Sequence, residues 1–375
     1  MHQDVKRIQI FDIAKGISII LMIISRFSFV SLYPYLSAFQ DAVMVFKMPS
    51  FVFISGYLLS DRLRFRPFLE SKIDGLLKPL LSFVLSLTIL EIIFYVFTAD
   101  VVTLRGAIGY PTNLLRSFYH GSFDVINVSF WFIGALFLGQ LSLKGFLEIR
   151  RLKKPLNYIF LVVFFMGVIL LDTLKIKFYW TEYIPSFFLY LSLGYGFKQL
   201  STRYFNGTKF FYSNKTVVFP ILFLAALFVY PKLNLSTSLD LSGLLFNYHY
   251  TLVLSLLGIF TLLFVCRFIE KVPVLSAALV YCSKASFFIL AYHIFILQIF
   301  THFFDMETYN PILHTSLVVL NLAMCCLIYK LVRQIKIIRV FFYPLKTLVL
   351  NYCEVKIVNS KYLKRFFPAE DTVMN

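Results

Sequence analysis

Residues 10–30 read I-F-D-I-A-K-G-I-S-I-I-L-M-I-I-S-R-F-S-F-V. A helix needs roughly 20 apolar residues, at ~1.5 Å each, to cross the hydrocarbon of a bilayer. This stretch has that length and character. Nine more follow, near 38–60, 79–97, 126–143, 156–172, 182–197, 216–231, 249–266, 285–304 and 312–332. Lipid offers no partner to a backbone amide, so segments of this kind close their own hydrogen bonds as helices. The expected fold is an all-α integral membrane protein. A ten-transmembrane-helix bundle fills 1–332, and a basic, partly amphipathic tail fills 333–375.

The composition agrees. Hydrophobic residues make up 59% of the chain and charged residues 15%, too few charges to wet a soluble protein of this length. The 45 Phe and 23 Tyr suffice to line a bundle interior and its interfacial belts. A net charge of +17 suggests nucleic acid only until the basic residues are located. With the N-terminus in the cytoplasm, 28 of the 36 Lys and Arg fall on the cytoplasmic side, at Lys6 and Arg7, in the loops 62–78, 144–154, 198–215 and 267–284 and in the tail from Lys330, and 5 on the other. That bias is the positive-inside rule at work. It expects both termini in the cytoplasm, a multi-pass plasma-membrane location, membrane lipid as a partner and no nucleic acid. Residues 10–30 are too long and apolar for a cleavable signal, so helix 1 is expected to be a permanent span. The five Cys show no metal-ligand spacing, so free thiols and no metal are expected.

Past residue 332, Arg333, Lys336 and Arg339 alternate with Ile337, Ile338, Phe341 and Phe342. The pattern suits a helix lying on an anionic leaflet and broken near Pro344.

Charges inside a membrane are costly and mark functional candidates. Helix 1 carries Asp12, Lys15 and Arg26. Lys15 and Arg26 are about three turns apart and share a face with Asp12, Ser18 and Met22. That stripe faces either a polar cavity or partner helices. The plainer alternatives are an Asp12–Lys15 ion pair at the interface, and Arg26 snorkelling outward or pairing with Asp41. Lys47 lies too far into helix 2 to snorkel, which points to a lined cavity. His293 sits mid-membrane in F-F-I-L-A-Y-H-I-F, as either a packing residue or a base. Glu91, Asp172 and Glu182 are expected in headgroup solvation. His120, His249, His302 and His314 are expected as exposed interfacial histidines.

These residues sit in a recognisable frame. F-D-I-A-K-G-I at 11–17, F-K-M-P-S-F-V-F-I-S-G-Y-L at 46–58, F-W-F-I-G-A-L-F at 130–137, L-S-L-G-Y at 191–195 and S-F-F-I-L-A-Y-H at 286–293 follow in order. Together they resemble the acyltransferase-3 family of bacterial integral-membrane O-acyltransferases, especially its fucose-O-acetylase-like branch. The resemblance covers about 10–305. It implies that acyl-CoA, acetyl-CoA foremost, docks from the cytoplasm. The acyl group passes to a hydroxyl of a surface or lipid-linked polysaccharide. Asp12, Lys15, Lys72 and Lys78 are the residues expected to hold the cofactor, with Lys15 at the family's basic position on helix 1. The family's helix 1 His, its general base, maps onto Arg26, which stays protonated and cannot accept a proton. Lys47 stands where a His often precedes Met-Pro, and Lys72-x-x-Gly75 stands for Arg-x-x-Arg.

Two readings follow. As an enzyme, the chain needs a substitute base. His293 comes first, and Lys47 second, once it has given up its proton. As a non-catalytic family member, it binds, conducts or helps assemble a surface glycan, with Arg26 and Lys47 as anion-binding groups.

Overall fold

The computed structural model describes residues 8–27, 33, 37–60, 63–99, 103, 106, 108–112, 130–152, 159–160, 162–163, 166, 183–205, 207–229, 248–306 and 308–344. Most of them are helical, and there is no strand among them. In chain order the α-helices are α1 (Gln9–Ile24), α2 (Ser37–Tyr57), α3 (Phe65–Lys72), α4 (Lys78–Thr98), α5 (Trp131–Leu152) and α6 (Ile184–Tyr204). Then come α7 (Val218–Val229), α8 (Tyr248–Ile269), α9 (Pro273–Lys284), α10 (Ser286–Phe303), α11 (Pro311–Gln334) and α12 (Lys336–Phe342).

Nine of the ten expected stretches coincide with these helices; the stretch at 156–172 lies mostly outside the described residues. Among the described residues, five helical segments are long and apolar enough to cross a membrane: Phe65–Thr98, Trp131–Ile149, Tyr250–Ile269, Ser286–Phe303 and Pro311–Gln334.

Two segments assigned to cytoplasmic loops are helical. The first is α3, which runs through a π-helical turn, Ile73–Leu77, straight into α4. The second is α9, whose Pro273 sits at the helix start, where its missing N–H costs nothing. The sequence reading counted only the charges of 267–284 and passed over its apolar face.

α1 is the central helix. It packs against α2, α8, α9, α10 and α11. Ile10, Phe11, Ile13, Ala14, Ile19 and Ile23 are buried on several sides of it, as expected of a helix that is apolar nearly all round. Gly16 lets it touch α9 backbone to backbone, because a Cβ there would lie 2.1 Å from the Leu279 carbonyl oxygen. Gln9 donates to the Ser276 hydroxyl at 2.7 Å and closes the same contact. The α2–α6 contact uses a glycine from each side. A Cβ on Gly56 would meet the Leu191 carbonyl at 2.2 Å, and one on Gly194 the Phe53 carbonyl at 2.0 Å. Without a hydrophobic force between helices in lipid, such close approach is a main source of their association. Around this frame α5 packs on α6, α7 on α8, and α10 on α11. Edge-to-face rings of Phe11, Tyr57 and Phe211, with centroids 4.8–6.0 Å apart, tie the start of α1 to the end of α2.

A short helix, α12, occupies the stretch expected to form an amphipathic helix and ends just before Pro344. It docks on the bundle: the Ser82 hydroxyl donates to the Phe341 carbonyl at 2.9 Å, and Phe342 packs on Phe83. Ile337 and Phe341 stay exposed. The tail beyond residue 344 lies outside the described residues.

A short 3-10 segment, Gly207–Tyr212, is pinned where the Tyr212 hydroxyl donates to the Glu270 carboxylate at 2.8 Å. Partial burial, and then the hydrogen bond to that carboxylate, push the phenol up to about 12. An unfolded tyrosine titrates near 10. The folded state therefore holds its proton over that interval. The stabilisation is full below about pH 10 and is lost as pH rises through about 12. Tyr212→Phe is expected to delete one tyrosinate transition near pH 12 from the ultraviolet difference spectrum. Loss of a transition near pH 10 instead would show that the Glu270 bond does not hold the proton.

Candidate functional site

The polar residues of α1 and α2 meet at the centre of the bundle. The Ser18 and Ser50 hydroxyls lie 2.7 Å apart, with Ser18 also on the Ala14 carbonyl and Ser50 on the Lys47 carbonyl. Lys47 is 7% exposed, and its ammonium donates to the Ser25 hydroxyl at 2.5 Å. Pro49 stands inside α2 next to this pair. It has no N–H to give the helix ladder and so loosens α2 there.

Ser18 and Met22 of α1, Lys47 and Phe51 of α2, and Ser286 and Leu290 of α10 line one small cavity. Its volume of ≈ 10 Å³ is enough for about one water. Of the expected stripe on helix 1, Ser18 and Met22 line this cavity, whose wall is otherwise mostly apolar (Ile19, Met48, Phe51, Phe132, Phe287 and Leu290). Arg26 departs from the stripe: α1 ends at Ile24, and Arg26 lies past the end, exposed and off the helix face. It forms no ion pair with Asp41 among the described residues.

His293 lies three residues after Leu290 and seven after Ser286, on the same face of α10. It is 1% exposed. Its Nδ1 sits 2.8 Å from the Ile289 carbonyl and 3.0 Å from that of Leu290. Carbonyls only accept, so Nδ1 carries the proton and Nε2 keeps its lone pair. Nε2 has no hydrogen-bond partner among the described residues. Arg26 and Lys47 both lie within electrostatic reach of the ring. Leu290, one turn before His293, lines the same cavity as Lys47, and Arg26 is not among the lining residues.

The residues expected to hold the cofactor divide into two groups. Asp12 and Lys15 are half-buried on α1, with the Lys15 ammonium 5.4 Å from the centre of the Phe51 ring that lines the cavity. Lys72 and Lys78 belong elsewhere. The Lys72 ammonium lies 5.2 Å from the Phe68 ring, while Lys78 is tied to Asp74 at 2.5 Å. Lys144, counted from the sequence as a loop residue, shares the Phe68 ring at 5.9 Å. It is fully buried and pairs with Glu148 at 3.3 Å.

Two other sequence readings are corrected. Glu91 is buried rather than headgroup-solvated. His314 is buried, with the Tyr33 hydroxyl 2.8 Å from its Nδ1; Tyr33 is 281 residues away, and no local pattern announces it. His302 is exposed, as expected. Asp172, Glu182 and His120 lie outside the described residues, as does the side chain of His249. Among the described residues no cluster of His, Cys, Asp or Glu is fit to hold a metal, and Cys266, Cys282, Cys325 and Cys326 are free thiols.

Sequence reasoning missed Asn321. It is fully buried on α11, and its amide donates to the His293 carbonyl at 2.9 Å. A signal was present, since an Asn in the middle of an apolar run is an intramembrane polar residue in search of a partner.

A family model described as "Acyltransferase domain", Acyl_transf_3, matches residues 8–330. The chain belongs to this acyltransferase family. The match spans α1 through most of α11 and so contains the whole α1–α2–α10 cavity. No curated protein and no solved structure matches the chain. Family membership and the apolar helices make it a multi-pass membrane protein of acyltransferase type.

Proposed function

We propose that this acyltransferase-family chain moves an acyl group, acetyl foremost, from cytoplasmic acyl-CoA to a hydroxyl of a cell-surface or lipid-linked polysaccharide. It does so from a bacterial cytoplasmic membrane that it crosses ten times, with both termini inside. The observation that carries the reading is His293: a buried imidazole with its Nδ1 proton committed to backbone carbonyls and its Nε2 lone pair unspent.

The acceptor hydroxyl gives its proton to His293 Nε2 while its oxygen attacks the thioester carbonyl carbon. The C–O bond forms, and the negative charge on the carbonyl oxygen is stabilised by the Lys47 ammonium at the cavity wall. The C–S bond then breaks. The thiolate takes the proton from the imidazolium and leaves as free coenzyme A, and the ester remains on the sugar. Lys15 suits a donor phosphate as a point charge. Lys72, apart from Lys15, is freer than Lys78 to meet a second anionic group of the donor, because Asp74 already holds Lys78.

The test is mass spectrometry of the surface polysaccharide from cells with and without the chain. The expected result is a difference of one acyl unit per modified sugar, removed by mild base. Identical glycan masses would overturn the enzyme reading. Altered glycan quantity at identical mass would instead support a glycan-handling role, which the exposed Arg26 favours.

A further inference from the structure

The Lys47 ammonium donates to the Ser25 hydroxyl at 2.5 Å, and Arg26 is the next residue in the chain, so the two cations flank one serine. Like charges placed together in a membrane protein are costly unless something anionic joins them. Neither cation has a carboxylate within ion-pair distance among the described residues. Their hydrogen-bonding capacity is also largely unspent. An ammonium has three donors, and Lys47 uses one, on Ser25. The Ser25 hydroxyl in turn donates to the Met22 carbonyl at 2.8 Å, so it serves as an anchor for Lys47. Arg26, with five donors on its guanidinium, follows Ser25 just past the end of α1 and is exposed. This donor set fits a group with several acceptor oxygens, above all a phosphate, which an Arg can grip bidentately.

Ser25 also stands at one end of a second, larger space. A groove of ≈ 290 Å³ runs between α1, α2 and α11. Its walls are Leu21 and Ile24 of α1, Phe39 and Val43 of α2, and Val318 of α11. Phe39 is 53% exposed, so the groove opens sideways from the helices. Its volume lies near the lower end of the range for small-molecule sites, about 300–1,000 Å³. That suits one aliphatic chain better than the paired tails of an ordinary phospholipid.

A largely apolar groove whose wall residue Ser25 holds the Lys47 ammonium and is followed in the chain by Arg26 is complementary to one kind of molecule. We infer that the α1–α2–α11 groove binds a single-chain lipid phosphate, with its chain along Leu21, Val43 and Val318 and its phosphate between Arg26 and Lys47. Within the acyl-transfer reading, this ligand is the anchor of a lipid-linked acceptor, and it brings the sugar to the cavity that Lys47 shares. The inference takes its biological meaning from that reading, but its test does not depend on it.

Native mass spectrometry of the full-length protein, with dodecyl phosphate as the probe and no acyl donor, measures the binding directly. One dodecyl phosphate per chain is expected. Arg26→Gln, at an exposed position, should weaken it at least tenfold. Thr315→Trp, an exposed rim position of the groove, should do the same by filling the space. Dodecanol, which lacks the charge, should bind at least tenfold more weakly. Equal binding of dodecanol would reduce the site to an apolar groove and overturn the inference. Displacement by inorganic phosphate at the same concentration, or undiminished binding in Thr315→Trp, would place the anion outside the groove and overturn it too. Binding of dodecyl phosphate in a chain that leaves glycan masses unchanged would keep this inference and defeat the acyl-transfer reading alone.

Discussion

His293→Ala is expected to lower acyl transfer by about 10²- to 10⁴-fold, the usual contribution of a positioned general base. The argument rests on the two ring nitrogens. Nδ1 is 2.8 and 3.0 Å from backbone carbonyls of its own helix, which fixes both the tautomer and the ring plane. Nε2 is buried and has no described partner. A histidine kept for packing alone would spend both nitrogens or be replaced by an apolar ring, because an unpaired buried polar atom costs about 1–3 kcal/mol. Truncation to alanine also leaves a void, so thermal stability must be measured alongside. His293→Gln separates the two effects. Its amide N–H can still meet the backbone carbonyl, but the side chain cannot take up a proton. Loss of transfer in both variants, with Gln restoring stability, is the outcome for a base. Transfer at the native rate in His293→Gln would reduce His293 to a structural residue. Asn321→Ala gives the contrast. It frees the His293 carbonyl and should shift ring placement, weakening kcat far less than loss of the ring itself.

How much of this was legible in the sequence depends on the distance over which each feature is set. Helix positions are local, since an apolar run of the right length declares itself wherever it packs. Lys47 and His293 are legible for the same reason, as charged or polar residues inside such runs. Features at the ends of runs are not. Arg26 projects onto the face of Lys15 only if α1 continues, and α1 stops two residues earlier. Lys144 looks like a loop residue until Glu148, one turn on, is noticed and the helix is seen to continue past both. The helix α9 was hidden by its flanking charges. Long-range pairs leave no local trace at all: Tyr33 with His314, Asn321 with His293, or the convergence of Ser18, Lys47 and Leu290 on one cavity. Those depend on which helices touch, and that is decided by the glycines.

The second large effect is therefore expected at Gly56 and Gly194. Their absent side chains are what let α2 and α6 meet, since a Cβ at either would lie within 2.2 Å of a carbonyl oxygen of the other helix. A backbone oxygen cannot rotate away as a side chain can, so the helices themselves must separate. Gly56→Ala and Gly194→Ala are each expected to lower stability in detergent by about 1–3 kcal/mol, the range for overpacking a close contact. The double variant should cost clearly less than the two singles added, because the separation forced by the first alanine already makes room for the second. Full additivity, or single variants as stable as the parent, would show that the contact is looser than its geometry implies. Activity should suffer more than stability. The helix that moves is α2, which carries Lys47 and Phe51 to the cavity wall. A displacement of about 1 Å at a reacting centre can cost on the order of 10²-fold in rate. A folded Gly194→Ala protein that has lost most of its transfer would thus show the motif glycines acting on chemistry through the position of Lys47.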